Sequence, residues 1–395
     1  MKFAHFSDCH IGGWREPELR ELGIETFRRA VDMCINENVA FILLSGDLFD
    51  TALPQTELIK EVAGILKKVN DHNISVYAIP GSHDFSPSGK TMIDVLDKAG
   101  VLHNVVKFNE NNELEFTEDK TGVKITGMYG KKLGLERFDY ERLNKDNLEK
   151  ENGFKIFMFH TALEEFKPAG MEKMEAYSYR DLPKGFDYYA GGHVHYIYQT
   201  KKEEYGLITF PGPTFPNNFK ELEELESGSF YIVDDNLSPR LIKIKIKDVL
   251  GLKIDVNNKS SLDAEDFIIN KIKENDVKDK IVLLRVFGVL SSGKVTDINF
   301  KKIMQAAKGS YITLKNTNKL SSKETEINET ENYSSVKDIE EEVIAKNLEN
   351  INLDIKSSEF INELIKILDK QKEEGEKNTD FEKRILKDAE KILGL

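Results

Sequence analysis

Cysteine is scarce in this chain of 395 residues: there are two, Cys9 and Cys34. Two cysteines do not make a disulfide framework, and a reducing cytoplasm is the expected compartment. No run of 18 or more apolar residues occurs, so no membrane span is expected. Met1–Phe6 enters an apolar strand pattern at once and leaves no room for a signal peptide. An internal repeat, a phosphate-cradling loop of the Walker type, a helix-turn-helix and a zinc-finger pattern are all missing. What is present is a globular composition, 32% charged and 39% hydrophobic, long enough for two or three domains with their own cores.

The net charge of −13 argues against nucleic acid as a partner only if it is read as one number. Residues 1–235 carry 27 basic and 40 acidic side chains, residues 236–319 carry 17 and 9, and residues 320–395 carry 12 and 20. A basic segment of net +8 thus lies between two acidic ones, and bound cations would offset part of the acidic charge of the first.

Over residues 1–235 short apolar strands alternate with amphipathic helices. Strands are predicted at 2–7, 40–45, 75–79, 124–128, 155–159, 188–190, 207–210 and 228–234, and helices at 18–37, 55–71 and 89–99. Thr51 and Pro54 give the second helix a start signal. This order predicts an α/β layered domain. Arg240–Lys247 then alternates strictly, which predicts a strand with one buried face and one face lined by Lys243, Lys245 and Lys247. Helices at 264–274 and 296–308 and strands at 281–289 and 311–315 complete a small α+β module over 236–315. Residues 316–335 are polar and read as a flexible linker. Helical periodicity returns over 336–395, with apolar stripes that include Phe360, Ile361, Leu364, Ile365 and Leu368, then Phe381 and Ile385. That surface is expected to dock a partner protein; the plainer reading is a helical tail folding back on its own chain.

Five of the eight histidines stand in metal-ligand contexts at strand ends. Asp8 and His10 are two apart, so both side chains are expected to leave one strand face, and the same holds for His193 and His195. Gly46-Asp47, Gly81-Ser82-His83-Asp84 and His160 each follow an apolar strand, where α/β sheets place their sites. Each piece alone is weak: a lone His160 is more often a core histidine, and Asp-x-His seldom means metal. Five pieces in this order predict a two-metal hydrolytic centre. Carboxylate and imidazole together suit Mn²⁺, Fe²⁺ or Zn²⁺ better than Mg²⁺. His5 and Cys9 read as packing, His72 as a helix-end cation, and His103 as surface or core.

The order Asp-x-His, Gly-Asp, Gly-Ser-His-Asp, His, Gly-His-x-His resembles the calcineurin-like metallophosphoesterase superfamily. Within it, Phe3–Gly12, the Gly-Asp-Leu-Phe-Asp block with Pro54, Asp187–His195 and Phe210–Pro213 look like the double-strand-break repair nuclease subunits of the SbcD or Mre-eleven type, in archaeal style. The resemblance implies a four-layer α/β/β/α domain over 1–235, a smaller α+β capping domain and a C-terminal helical segment. It implies two Mn²⁺ per chain, with Fe²⁺ or another divalent ion as alternatives. One would be held by Asp8, His10, Asp47 and His195, and the other by Asp47, Ser82, His160 and His193. His83, oriented by Asp84, would protonate the leaving 3′-oxygen. Two positions depart from the family: Ser82 stands where asparagine is usual, leaving the second site weaker, open or completed by water, and Asp50 stands where several relatives carry a histidine.

The expected function is a Mn²⁺-dependent 3′→5′ exonuclease and single-strand endonuclease acting on DNA ends. It would work as a cytoplasmic, nucleoid-associated homodimer with an SMC-like coiled-coil ATPase of the SbcC/Rad type on residues 336–395. The basic module would contact phosphates without reading sequence. Trp14 and Arg15 are candidates for substrate contact or for anchoring a loop. Two rival readings stay open: another phosphodiesterase or phosphatase with the same core, and a DNA–ATPase scaffold whose centre Ser82 has crippled.

Overall fold

The computed structural model describes residues 1–86, 89–168, 174–323, 366, 367, 370 and 378–393. Its chain folds into one unit over Met1–Ser321 and a second over Ser322–Leu395. The first begins with β1 (Lys2–Phe6), α1 (Pro17–Asn36), β2 (Phe41–Ser45), α2 (Thr56–Asp71), β3 (Ser75–Ile79), α3 (Met92–Lys98) and β4 (His103–Asn104). There follow β5 (Thr117–Glu118), β6 (Lys124–Gly127), α4 (Arg137–Arg142), α5 (Asp146–Lys150), β7 (Lys155–His160), β8 (Tyr188–Gly192), β9 (Ile197–Lys202), β10 (Gly206–Pro211), α6 (Phe219–Leu225), β11 (Gly228–Asp234) and β12 (Pro239–Ile244). The α+β module holds β13 (Val249–Asp255), α7 (Ser261–Lys273), β14 (Ile281–Leu290), α8 (Phe300–Ala306) and β15 (Ile312–Ser322).

Two six-stranded sheets face each other, in the orders β12-β11-β1-β2-β3-β4 and β5-β6-β7-β8-β10-β9. β2 and β7 are buried along their whole length, as central parallel strands covered on both faces must be. Phe3, Phe41, Leu43, Ile79, Ile125, Ile156, Met158 and Tyr188 fill the space between the sheets. Helices α1 to α3 cover the first sheet, where Phe27, Val31, Val62, Leu66 and Val69 meet Phe6, Ile42 and Leu44. The outer cover of the second sheet is thin: Tyr140 and Leu148 of the short α4 and α5 pack with Phe166, Leu182, Phe186 and Tyr205 against Phe157, Tyr189 and Phe210. The architecture is the expected α/β/β/α sandwich, with a fourth layer built mostly of loops and aromatic rings.

The strand Pro239–Ile244 differs from its expected place. β12 pairs antiparallel with β11, from Gly228↔Ile244 to Val233↔Pro239, and so forms the edge of the first sheet rather than part of the module. Period-two alternation specifies a half-buried strand but not the sheet it joins. Without Arg240 and Lys243 the excess of the basic segment falls from +8 to +6. The module's own first strand is β13, parallel to β14 with Val249 opposite Ile281. β15 runs to Ser322, seven residues into the segment read as a linker, because a ladder can pair polar residues that carry no hydrophobic signal. Pro54 lies just before α2, whose N-cap Gln55 makes no side-chain cap bond.

In the second unit the helix α9 (Asn378–Leu393) carries half-buried Phe381 and Ile385, with Arg384 over the Phe381 ring at 5.4 Å. Phe360, Ile361, Leu364, Ile365 and Leu368 lie outside the described residues. No described helix is long and apolar enough to cross a membrane.

His5 on β1 is fully buried between the sheets, with Nδ1 3.0 Å from the Tyr188 hydroxyl and 3.2 Å from that of Thr209. Burial lowers its pKa to about 3. An unfolded chain takes up this proton below about 6.5 while the folded one refuses it, so this contribution to stability is complete above about 6.5 and fades as pH falls toward 3. At about 1.4 kcal/mol per pH unit, the loss between pH 6.5 and 4 is about 3 kcal/mol. His5→Gln should therefore flatten the fall of Tm with acid; parallel wild-type and variant curves would contradict this.

Candidate metal centre

Every candidate ligand stands at or just beyond the carboxyl end of a strand. β1 leads to Asp8 and His10, β2 to Asp47, and β3 to Ser82, His83 and Asp84. His160 ends β7, and β8 leads to His193 and His195. β1, β2 and β3 are parallel neighbours in one sheet and β7 and β8 in the other, so five loops converge at one end of the sandwich.

The loops, not strand alternation, aim the side chains. β1 stops at Phe6, and Asp8 and His10 both take left-handed backbone angles, φ 50° and 41°, as do Asp47 at 50° and His193 at 84°. Such angles cost non-glycine residues roughly 1–3 kcal/mol each and persist only where surroundings enforce them. Here the Asp8 and His10 amides donate to the Gly46 and Asp47 carbonyls at 3.2 and 2.9 Å, and the His193 amide to Asp8 Oδ1 at 3.0 Å. Gly46 is required: its φ is 87°, and a β-carbon there would lie 2.2 Å from His160 Nδ1. One at Gly81 would lie 2.2 Å from Asp47 Oδ1.

Asp8, His10 and His195 bring ligand atoms within 4.8 Å of one another, as do Asp8, Asp47 and His160. Asp47 Oδ2 is 3.1 Å from His160 Nε2, 3.7 Å from His10 Nε2 and 3.4 Å from Ser82 Oγ, so Asp47 sits between the two groups. The His193 ring lies 5.3 Å from that of His160. Two buried atoms, Asp8 Oδ2 and His160 Nε2, have no hydrogen-bond partner. The 3.1 Å approach of His160 Nε2 to Asp47 is an ion-pair distance without hydrogen-bond alignment. A buried carboxylate oxygen and a buried imidazole nitrogen left unsatisfied, within an N/O donor set, fit a divalent transition-metal ion.

The same convergence shifts the proton affinities. Burial opposes the charged form of His160, but Asp47, Asp8 and the Ser45 carbonyl together raise it to about 10. Burial also opposes charge on His195, yet Glu221 and Asp8 lift it to about 9. Burial lowers His193 to about 4, helped by the neighbouring His160 charge. The carboxyl of Asp47 is held far below the usual range: burial works against the anion, and His160, His10 and His83 outweigh it.

His83 differs from the candidate ligands. Its side chain is 42% exposed, whereas those of His10, Asp47 and His160 are at most 3% exposed. Nδ1 lies 2.8 Å from the Asp50 carbonyl and 3.6 Å from Asp50 Oδ1, which leaves Nε2 as the outward nitrogen. Asp84 does not orient this ring, contrary to expectation. It is fully buried and accepts the Leu48, Phe49 and Gly81 amides at 3.0–3.1 Å. Burial and then the Asp47 charge push its pKa up to about 6, against those three donors. Asp84 thus ties the Asp47 loop to the His83 loop.

Three of the expected DNA contacts have partners within the chain. Trp14 donates its indole N–H to the Pro216 carbonyl at 2.8 Å and packs beside Leu19, Leu22 and Phe215, so it anchors a loop, while Arg15 is exposed. Of the three lysines only Lys243 lies on β12. Lys245 and Lys247 follow it and pair with Asp248 and Asp279, both at 2.6 Å. Sequence reasoning missed Glu221, whose Oε1 is 2.8 Å from His195 Nδ1, and Asn217, whose amide reaches Asp50 Oδ1 at 3.3 Å. The only signal was a helix-capping pattern, Asn218-Phe-Lys-Glu221, which says nothing of the side chain's second contact.

Residues 1–196 match the calcineurin-like phosphoesterase family. The chain is similar to the DNA double-strand break repair protein Mre11 of Sulfolobus acidocaldarius, 30% identical over 302 residues, covering 72% of this chain and 74% of that protein. It is similar to the proteins of the same name from Archaeoglobus fulgidus, 24% identical and covering 77% and 75%, and Thermoplasma acidophilum, 29% identical and covering 76% and 78%.

Proposed function

Because this chain belongs to the calcineurin-like phosphoesterase family, we propose that it is a Mn²⁺-dependent nuclease that shortens DNA ends 3′→5′, cuts single strands and serves double-strand-break repair. The observation that carries the reading is the gathering of two carboxylates and four imidazoles around unsatisfied Asp8 Oδ2 and His160 Nε2, with exposed His83 beside them. Asp8, His10, Asp47 and His195 would hold one ion, and Asp47, Ser82, His160 and His193 the other, with Fe²⁺ as a substitute. When bound, the ions supply Lewis acidity to the phosphodiester and acidify water. The chain's own part is to place them, to fix His83 through Asp50, and to deliver the His83 proton to the departing 3′-oxygen.

Similarity to proteins named for double-strand break repair supports DNA ends as substrate. A homodimer, an SMC-like coiled-coil ATPase docked on residues 336–395 and a cytoplasmic, nucleoid-associated location belong to the same reading. Half-buried Phe381 and Ile385 on α9 suit such docking. Arg15, Lys243, Lys245 and Lys247 are the candidates for phosphate contact, and the surface ion pairs of Lys245 and Lys247 are weak enough to exchange for phosphate.

Ser82 favours a second reading, a weakly active scaffold: its short hydroxyl faces Asp47 at 3.4 Å and reaches less far than an amide. One experiment addresses both. Cleavage of end-labelled duplex and of single-stranded DNA is measured across Mn²⁺ concentrations, with a chelator control, for wild type and Ser82→Asn. Chelator-sensitive cleavage is expected from both proteins, with a gain of about tenfold in Ser82→Asn at limiting Mn²⁺, the scale on which ligand support alters metal affinity. Wild type inert at saturating Mn²⁺ and rescued by Asn would favour the scaffold. No cleavage by either would end the nuclease reading.

A further inference from the structure

Helix α6 spans seven residues, yet it touches both the metal centre and the α+β module. Glu221 and Glu223 are two apart, about 200° around the helix, and so point to opposite sides. Glu221 Oε1 lies 2.8 Å from His195 Nδ1, and Oε2 accepts the Asn217 amide at 2.8 Å. Glu223 grips Arg285 of β14 through two oxygens, with Nε–Oε1 at 2.9 Å and Nη2–Oε2 at 2.8 Å. The Arg285 guanidinium also covers the Phe219 ring at 5.0 Å. Between the two acids, Leu222 is buried with Ile281 and Leu283 of β14.

The plainer reading of Glu221 is helix capping. It is third after Asn218, whose side chain accepts its amide at 3.0 Å and donates back to its carboxylate. Capping accounts for an acid at this position. It does not account for a side chain only 15% exposed with an oxygen on a ring nitrogen of His195. A carboxylate on Nδ1 fixes the tautomer and makes the other nitrogen a better ligand. That nitrogen, Nε2, is the one facing Asp8 Oδ1 at 3.7 Å and His10 Nε2 at 3.1 Å.

We propose that Glu221 is a positioning residue for the metal centre, and that α6 transmits the seating of the α+β module on Arg285 to the grip of His195 on its ion. The inference rests on reading this site as a metal centre. A partner or substrate that shifted β14 would then alter metal affinity without touching a ligand.

Calorimetric titration of the full chain with Mn²⁺, beside melting in chelator, tests it. Glu221→Ala should weaken Mn²⁺ binding 10–100-fold with little change of Tm in chelator. Glu221→Gln, which keeps the cap and an acceptor but loses the charge, should fall between Ala and wild type; it also serves if the alanine variant does not fold. Arg285→Met should weaken binding about threefold, within the range of couplings carried by packed side chains. Asp47→Asn is the control. If Asp47→Asn abolishes binding while Glu221→Ala and Glu221→Gln stay within twofold of wild type, Glu221 only caps its helix and the proposal falls while the metal centre stands. Weakening by Glu221→Ala with none by Arg285→Met overturns the transmission through α6. Unchanged binding in Asp47→Asn overturns the metal reading itself.

Discussion

Asp47→Asn should strip the chain of tightly bound divalent metal and lower hydrolysis by about a thousandfold or more. Among the described residues, Asp47 is the one carboxylate that faces His160, His10 and Ser82 together, at 3.1, 3.7 and 3.4 Å from Oδ2. Removing its charge removes the anion shared by both candidate ion positions, and metal-assisted catalysis draws several kcal/mol from the ion it would no longer hold, each 1.36 kcal/mol being tenfold in rate. The fold should survive. An asparagine Oδ1 can still accept the His83 amide that Asp47 Oδ1 takes at 2.7 Å. The substitution also relieves a like-charge conflict, since the Asp47 charge helps to push buried Asp84 up to about 6. Metal counted by mass spectrometry after gel filtration, beside melting in chelator, checks both halves. Full metal content with lost activity would mean that Asp47 acts on substrate instead; lost metal with a collapsed Tm would mean that its charge is needed for folding.

The strands were legible because buried parallel strands are short continuous apolar runs, as in Phe41–Ser45 and Lys155–His160. The gathering of Asp8, His10, Asp47, His160, His193 and His195 was legible because each follows such a run, and strand ends in this architecture share one side. What could not be read depends on geometry that no pattern encodes. The sheet joined by β12 is set by pairing with β11, and that choice removes Arg240 and Lys243 from the module. Lys245 meets a carboxylate three residues on, but the Asp279 partner of Lys247 comes from a distant stretch of chain. Asp84 stands beside His83 in sequence, yet its side chain turns onto the Leu48 and Phe49 amides, and a backbone carbonyl at Asp50 holds the ring instead. Glu221 is separated from His195 by 26 positions and by a strand that was not predicted, β9.

His83→Ser should lower DNA cleavage by about 10²–10⁴-fold while metal content stays at the wild-type level. The ring is the most exposed of the imidazoles paired here to a carboxylate, and its Nδ1 is occupied by Asp50, so Nε2 is the nitrogen expected to meet substrate. A 3′-alkoxide is a strong base and leaves well only if protonated as the bond breaks, which an imidazole near neutral pH does well. The size of the effect must therefore depend on the leaving group. On a nitrophenyl phosphodiester, whose leaving phenolate needs no proton, His83→Ser should lose less than about tenfold, against the larger loss on DNA. The contrast between the two substrates isolates proton transfer from general disruption, since a misplaced loop would slow both alike. Equal losses on both substrates with full metal content would overturn the proton-donor role, leaving His83 to hold the phosphate or its loop, and loss of metal would make it a ligand.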